Sequence, residues 1–190
     1  PDSEIRVVGS HKCGENKSHE KNIDQINFLF VPEGFESETI KMLSFAKNCA
    51  ELFQNINFIF RLHPLVADNL MIKDQLEFIS DENLIFSNNS INDDLELCQF
   101  VIYRGSTAVL DAAMAKLIPI YLDDPNDPCE LDALYMLDKK VVTSPEDLKD
   151  LATLNKNDFL ALLEKNTYLF EFIKSLREKI SSQDFDLKNV

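Results

Sequence analysis

Two short turns carry the residues best suited to hold a phosphate. His63-Pro64 closes the apolar run Asn57–Arg61, and Arg104-Gly105-Ser106-Thr107 follows the apolar run Phe100–Tyr103. Proline after histidine keeps His63 out of helical geometry and fixes the turn, so the imidazole is held at the carboxyl end of its strand. From there it can donate a hydrogen bond, or a charge when protonated, to a phosphoryl oxygen. Gly105 permits a sharp turn, and Ser106 or Thr107 can cap the helix that follows. A helix starting there presents free backbone N–H groups and a positive dipole end to an anion. Each turn also has an architectural reading. A histidine can pack a turn and bond a backbone carbonyl, and the second turn can be an N-cap beside a surface arginine. The functional reading gains from coincidence, because both turns fall on the same edge of one predicted sheet, a single βα unit apart.

Other chemistries lose their signals. The chain has no GxGxxG, no GxxxxGK[ST] and no GxSxG, which removes the usual marks of dinucleotide binding, P-loop chemistry and a hydrolase elbow. With only four glycines a glycine-rich phosphate wrap is unavailable, so a helix start plus side chains must do that work. A net charge of −14 argues against nucleic acid or an anionic membrane as partner. His11, Cys13 and His19 lack a fourth partner for a metal, and no metal or cofactor is expected. Cys13, Cys49, Cys98 and Cys129 form no CxxC pair; Cys49 and Cys98 fall in apolar helical patterns, as buried thiols of a reducing compartment do. No apolar run reaches the ~18–20 residues of a membrane span, and no signal-peptide pattern opens the chain. The chain starts at Pro1 without a methionine, so a fragment of a longer protein is expected.

The elements that must position these turns alternate along the chain. Ile5–Val8 reads as a strand before a polar loop, Ile26–Val31 as a strand ended by Pro32-Glu33-Gly34, and Ser37–Phe53 as an amphipathic helix. Asn57–Arg61 and Asn83–Ser87 read as strands around a weaker helix, Asp68–Phe78. Ile91–Leu97 follows as a helix capped by Ser90. After Phe100–Tyr103, apolar residues recur at helical spacing from Val109 to Leu117. The strand Leu117–Leu122 then contains Pro119, which confines it to a strand start or an edge. Glu130–Leu137 reads as a short helix, Lys140–Thr143 as a last strand, and Ser144-Pro145 as a helix opening. Residues 157–181 carry one or two helices with Phe159, Leu163, Phe170 and Ile173 on one face, for packing on the core or on a further lobe. Short apolar strands alternating with helices predict an α/β, Rossmann-like, doubly wound and mainly parallel six-stranded sheet. Ligands of such sheets sit at the carboxyl ends of the strands. The implied layout is a strand and linker at 1–25, a Rossmann-like domain at 26–155 and terminal helices at 156–190.

Arg61-Leu62-His63-Pro64 after one strand and YRGSTAVLDAAMAKLIPIYL two strands later resemble the C-terminal, donor-binding domain of GT-B glycosyltransferases. The resemblance runs from about Ile26 to Val142 and is nearest to bacterial surface-carbohydrate enzymes, including CMP-sugar-dependent sialyl- and polysialyltransferases and Kdo transferases. It implies that His63 and Pro64 match an HP motif, and that Ser106 and Thr107 match a hydroxyl pair that meets the nucleotide and its phosphate. It further implies an acidic residue on the ribose, for which Glu130 is the nearest candidate and Asp127 the fallback, and a close approach to the donor at Gly34. One departure is Lys116, which stands where the family usually ends its small-residue helix in glycine. A left-handed lysine there costs about 1 kcal/mol.

The implied reaction is transfer of a sugar from a nucleotide-sugar donor to a glycan acceptor during surface polysaccharide synthesis. Charge develops on the phosphate as the glycosidic bond breaks, and His63, Ser106 and Thr107, with Arg61, Arg104 and the Gly105 turn, would stabilise it. His63 is the catalytic candidate. The resemblance places the general base on an N-terminal lobe outside this chain, so the fragment alone would bind nucleotide without turnover. It also implies a cytoplasmic protein, free or peripheral to the inner membrane face. A UDP-GlcNAc 2-epimerase-like enzyme, a glycerophosphotransferase of the teichoic-acid kind and a non-catalytic nucleotide-binding module remain open alternatives.

Overall fold

Six apolar runs pair side by side, all parallel: β1 (Asn27–Pro32), β2 (Asn57–Phe60), β3 (Leu84–Phe86), β4 (Phe100–Arg104), β5 (Ile118–Leu122) and β6 (Lys140–Val142). The computed structural model describes residues 25–72, 82–127 and 132–181. The sheet order is β3-β2-β1-β4-β5-β6. Connections run outward from β1 in one direction, then jump back to β4 and run outward in the other. The crevice between β1 and β4 is therefore the topological switch point, where an open α/β sheet receives its ligand. The α/β, Rossmann-like, doubly wound reading of the sequence is the fold observed. The expected strand Ile5–Val8, most of the helix expected to Phe78, and Glu130 lie outside the described residues.

The helices are α1 (Glu36–Leu52), α2 (Ile91–Leu97), α3 (Ala108–Met114), α4 (Lys149–Ala152), α5 (Lys156–Lys165) and α6 (Thr167–Ser181). Helix α1 buries Met42, Phe45, Ala46, Cys49 and Ala50, the face its periodicity predicts. Cys49 and Cys98 are buried free thiols, and burial pushes the Cys49 thiol well up. A helix begins at residue 70, two residues after the expected start at Asp68, and Asn69 caps it: its Oδ1 accepts from Met71 N–H at 2.9 Å and Ile72 N–H at 3.3 Å. The short helix expected over Glu130–Leu137 is instead a turn at residues 133–136, within the part described. Pro119 sits second in β5, an interior strand, and not on an edge. Ile118 N–H donates to Gln99 O on the β4 side, so the donor missing at Pro119 faces β6, whose pairing starts only at Ile120.

Phenylalanines lock the register at the sheet centre. Phe28 of β1 lies opposite Phe58 of β2 and Phe100 of β4, with ring centroids 5.5 and 4.8 Å away. Phe30 lies opposite Phe60 at 5.8 Å. A slip of one residue would move this ladder to the other face. Phe159 of α5 meets the Phe100 ring edge-on at 5.7 Å, and Leu169, Phe170 and Ile173 of α6 are buried, so the terminal helices pack on this same core.

Candidate functional site

The strand ends around the switch point border an open cavity of about 520 Å³ lined by Glu33, His63, Gly105, Ser106, Thr107, Asp132 and Ala133. Four loops thus bring together residues far apart in sequence, because β2, β1, β4 and β5 lie side by side with the same polarity. A volume of this size suits a nucleotide-sized ligand. The two turns singled out in the sequence meet in it.

His63 is half-buried and lies over Gly34. A Cβ at position 34 would stand 2.9 Å from Nδ1, so glycine is what lets the imidazole approach the β1 loop. Leu65 N–H donates to His63 Nδ1 at 3.2 Å. In a neutral ring that leaves the proton on Nε2, which is then the nitrogen able to donate to a ligand. Pro64 is exposed and serves the turn; Gly34 is a packing neighbour of His63 and does not itself line the cavity.

At the other turn Gly105 adopts φ +76°, the left-handed region that glycine enters freely. Neither hydroxyl caps α3 in the way the sequence suggests. Thr107 occupies the N-cap position with no side-chain cap bond, while Ser106 Oγ accepts from Ala108 N–H at 3.4 Å. That bond uses an oxygen lone pair and leaves the hydroxyl proton of Ser106 to give. Thr107 is exposed and directly accessible from the cavity.

Neither arginine lines the cavity. Arg104 is 1% exposed and not the surface residue of the architectural reading: its Nε lies 2.7 Å from Glu38 of α1, Nη1 donates to Leu122 O at 3.3 Å, and Nη2 donates to Asp127 O. It ties α1, β4 and the loop after β5 together from beneath. Arg61 donates through Nη1 to Asp94 at 2.8 Å and Asn89 O at 2.7 Å. Asp94, the residue expected merely to suit a helix start, is fully buried and also accepts from Ser87 Oγ at 2.6 and 2.7 Å. A guanidinium committed to a buried carboxylate positions loops; it is not displaced cheaply toward a ligand.

On the acidic side, Asp127 points to Lys41, not into the cavity; Lys41 also pairs with Asp124 at 3.2 Å. The Asn126 backbone N–H, then Lys41, hold the Asp124 carboxyl below its usual range. The carboxylates that do line the cavity are Glu33 and Asp132, and sequence reasoning selected neither. Asp132 is clamped by Tyr103 O–H at 2.7 Å, Leu134 N–H at 2.9 Å and Lys139 at 2.7 Å. Burial, then the Asp132 contact, pushes the Tyr103 phenol well up, so it stays a donor. Burial, then neighbouring Glu38, raises the Glu33 carboxyl, with Arg104 pulling the other way. The only signal for Glu33 was its place in the first βα loop beside Gly34.

No protein-family model matches the chain, and no curated protein matches it in sequence. Among solved structures, the wall teichoic acid polymerase TagF is similar over 84% of this chain and 45% of its own, at 15% identity and a TM-score of 0.48. A second TagF structure is similar at 16% identity and TM-score 0.48, covering 85% of this chain and 42% of its own. TarM is similar at 14% identity and TM-score 0.41, covering 94% of this chain and 34% of its own. This chain thus spans less than half the length of each. Likeness at this level concerns fold alone, and the assignment made above rests on the strand order itself. No helix among the described residues is long and apolar enough to cross a membrane.

Proposed function

We propose that this domain holds the nucleotide phosphate of an activated sugar and acts as the donor-binding lobe of a GT-B glycosyltransferase of surface polysaccharide synthesis. The observation that carries the reading is the convergence of His63 and the Gly105-Ser106-Thr107 turn in one cavity at the switch point. His63 Nε2–H, the Ser106 hydroxyl proton and the Thr107 hydroxyl are three donors around one space. An oxyanion growing on a leaving phosphate is stabilised by such donors more than the ground state is, which lowers the barrier to transfer. His63 is the catalytic candidate in this reading, and Pro64 and Gly34 fix its position. Arg61 and Arg104 are assigned to the scaffold. A cytidine-linked donor, an acceptor glycan, a second lobe that supplies the base, and a cytoplasmic setting complete the proposal, on the strength of the motif resemblance.

Nucleotide binding by this chain tests it. Thermal unfolding with CMP, CDP, UMP, UDP and GDP should show a cytidine-selective shift of roughly 5–10 °C at a hundred times Kd. His63→Ala and Ser106→Ala should each abolish the shift. A uridine preference would transfer the reading to a UDP-sugar enzyme. No shift, in this chain or in a longer protein containing it, would sink the nucleotide reading.

A further inference from the structure

Glu33 stands at the phosphate turn itself. Its carboxylate covers Gly105 so closely that a Cβ there would lie 2.3 Å from Oε1 and 2.7 Å from Cδ. It shares the cavity with His63, Ser106 and Thr107. The loop that carries it is anchored from behind, because Thr39 of α1 donates its hydroxyl to the Glu33 backbone carbonyl at 3.3 Å. The nearby Arg104 directs its Nε to Glu38, and its pull on the Glu33 carboxyl is outweighed by burial and Glu38, which leave it raised. An anion seated against His63 and the Ser106–Thr107 hydroxyls therefore meets a carboxylate at close range.

We propose that Glu33 is a charge filter at this seat, accepting a phosphodiester and disfavouring a phosphomonoester dianion. The inference rests on the donor-binding reading above and adds to it a residue that sets which phosphate is held. In the transfer proposed there, the bond between the anomeric carbon and the phosphate oxygen breaks, and its electron pair stays on that oxygen. The acceptor oxygen bonds to the anomeric carbon, and its proton passes to the base of the second lobe. The phosphate that entered as a diester with one negative charge leaves as a monoester, a dianion above its second pKa of about 6. A carboxylate beside it repels the product more than the substrate, and so favours release.

The surroundings make this repulsion effective. Charged and titratable groups face Glu33 from each adjoining element: Glu38 from α1, Arg104 from β4, His63 after β2 and Asp132 after β5. Burial, then Glu38, pushes the Glu33 carboxyl up, and in the same poorly solvated surroundings its charge is felt more strongly by an anion beside it. Asp132 is matched by Lys139 and Tyr103, which leaves Glu33 as the carboxylate whose charge the cavity feels most.

The test compares CMP, a monoester, with CMP methyl ester, a diester, by calorimetric titration at pH 7.5 against the unaltered chain and Glu33→Gln. The filter predicts that the unaltered chain prefers the diester. The substitution should tighten CMP about tenfold and change the methyl ester less than about threefold. Glu33→Ala must give the same pattern, and it stands in if the glutamine variant does not fold. Equal changes for both probes, or none, would overturn the filter while leaving nucleotide binding intact. Absence of binding by every protein would overturn the filter together with the reading it rests on.

Discussion

The turns after β2 and β4 begin alike, with an arginine at the strand end, and they use it differently. Arg61 lies near the margin of the sheet and remains partly exposed, with a buried partner, Asp94, that keeps Ser87 and Asn89 as further donors. Arg104 ends a strand with neighbours on both sides and is sealed beneath the cavity, holding Glu38 and two backbone carbonyls. In both turns the arginine points inward to a helix carboxylate, and the following residues supply the cavity. The lesson is that a cation at a strand end in an α/β sheet need not serve the ligand. Whether it does depends on which helix carboxylate lies behind it.

The contrast predicts unequal costs. Arg104→Ala should destabilise the domain by about 3–5 kcal/mol, since it strands Glu38 and two carbonyls around a buried void. Arg61→Ala should cost only about 2 kcal/mol, because Asp94 keeps its hydroxyl partner. Urea unfolding of both variants decides it; equal costs would erase the distinction. Gly105→Ala comes next. The positive φ and the clash with Glu33 should together cost about 2 kcal/mol. Adding Glu33→Ala should recover the steric part and leave the backbone part. In the β2 turn, by contrast, His63→Ala should remove nucleotide binding while moving the unfolding midpoint by no more than about 1 kcal/mol.

Smaller effects lie away from the cavity. Lys116 has φ +62°, with Lys116 N–H bonded to Ala113 O and Leu117 N–H to Ala112 O, the pattern of a left-handed helix end that prefers glycine. Lys116→Gly should therefore stabilise by about 1 kcal/mol in the same unfolding measurement. Two carboxylates should respond to pH with opposite sign. The Glu33 carboxyl is raised, so its ionisation costs stability as pH rises through that value. Glu33→Gln should then raise Tm at pH 7 and lose its effect below about pH 4. The Asp147 carboxyl is lowered by the Thr143 and then the Ser144 backbone N–H groups. Asp147→Asn should lower Tm at pH 7, with the deficit disappearing as acid protonates the native carboxylate.

Much of this arrangement was legible in the chain. Apolar runs of strand length alternating with helical periods gave the sheet, and His63-Pro64 and Gly105-Ser106-Thr107 marked their own turns through proline and glycine chemistry. The left-handed turn at Lys116 was signalled only by the family resemblance, in which glycine usually stands at that place. Partnerships across the fold were not legible. Glu38 lies 66 residues from Arg104 and Asp94 lies 33 from Arg61, and no local pattern announces such pairs. Glu33 escaped notice because an acid in a βα loop is ordinary until the strand order brings β4 beside it. Of the two places open to Pro119, a strand start or an edge, the fold uses the start, where β6 does not yet reach and the missing donor has no partner to lose.

The position of β1 has a consequence for how the chain is made. It is the first of the described strands to be synthesised, yet it ends at the middle of the sheet, with one edge closed by β4 through mutual bonds between Asn27 and Gln99, 72 residues later. Until β4 has emerged from the ribosome, a phenylalanine-rich strand waits with an open hydrogen-bonding edge, a state prone to pairing with the wrong chain. The crossover that creates the cavity thus also sets the longest wait in folding, and slow translation between residues 60 and 100 would lengthen the exposure of that edge.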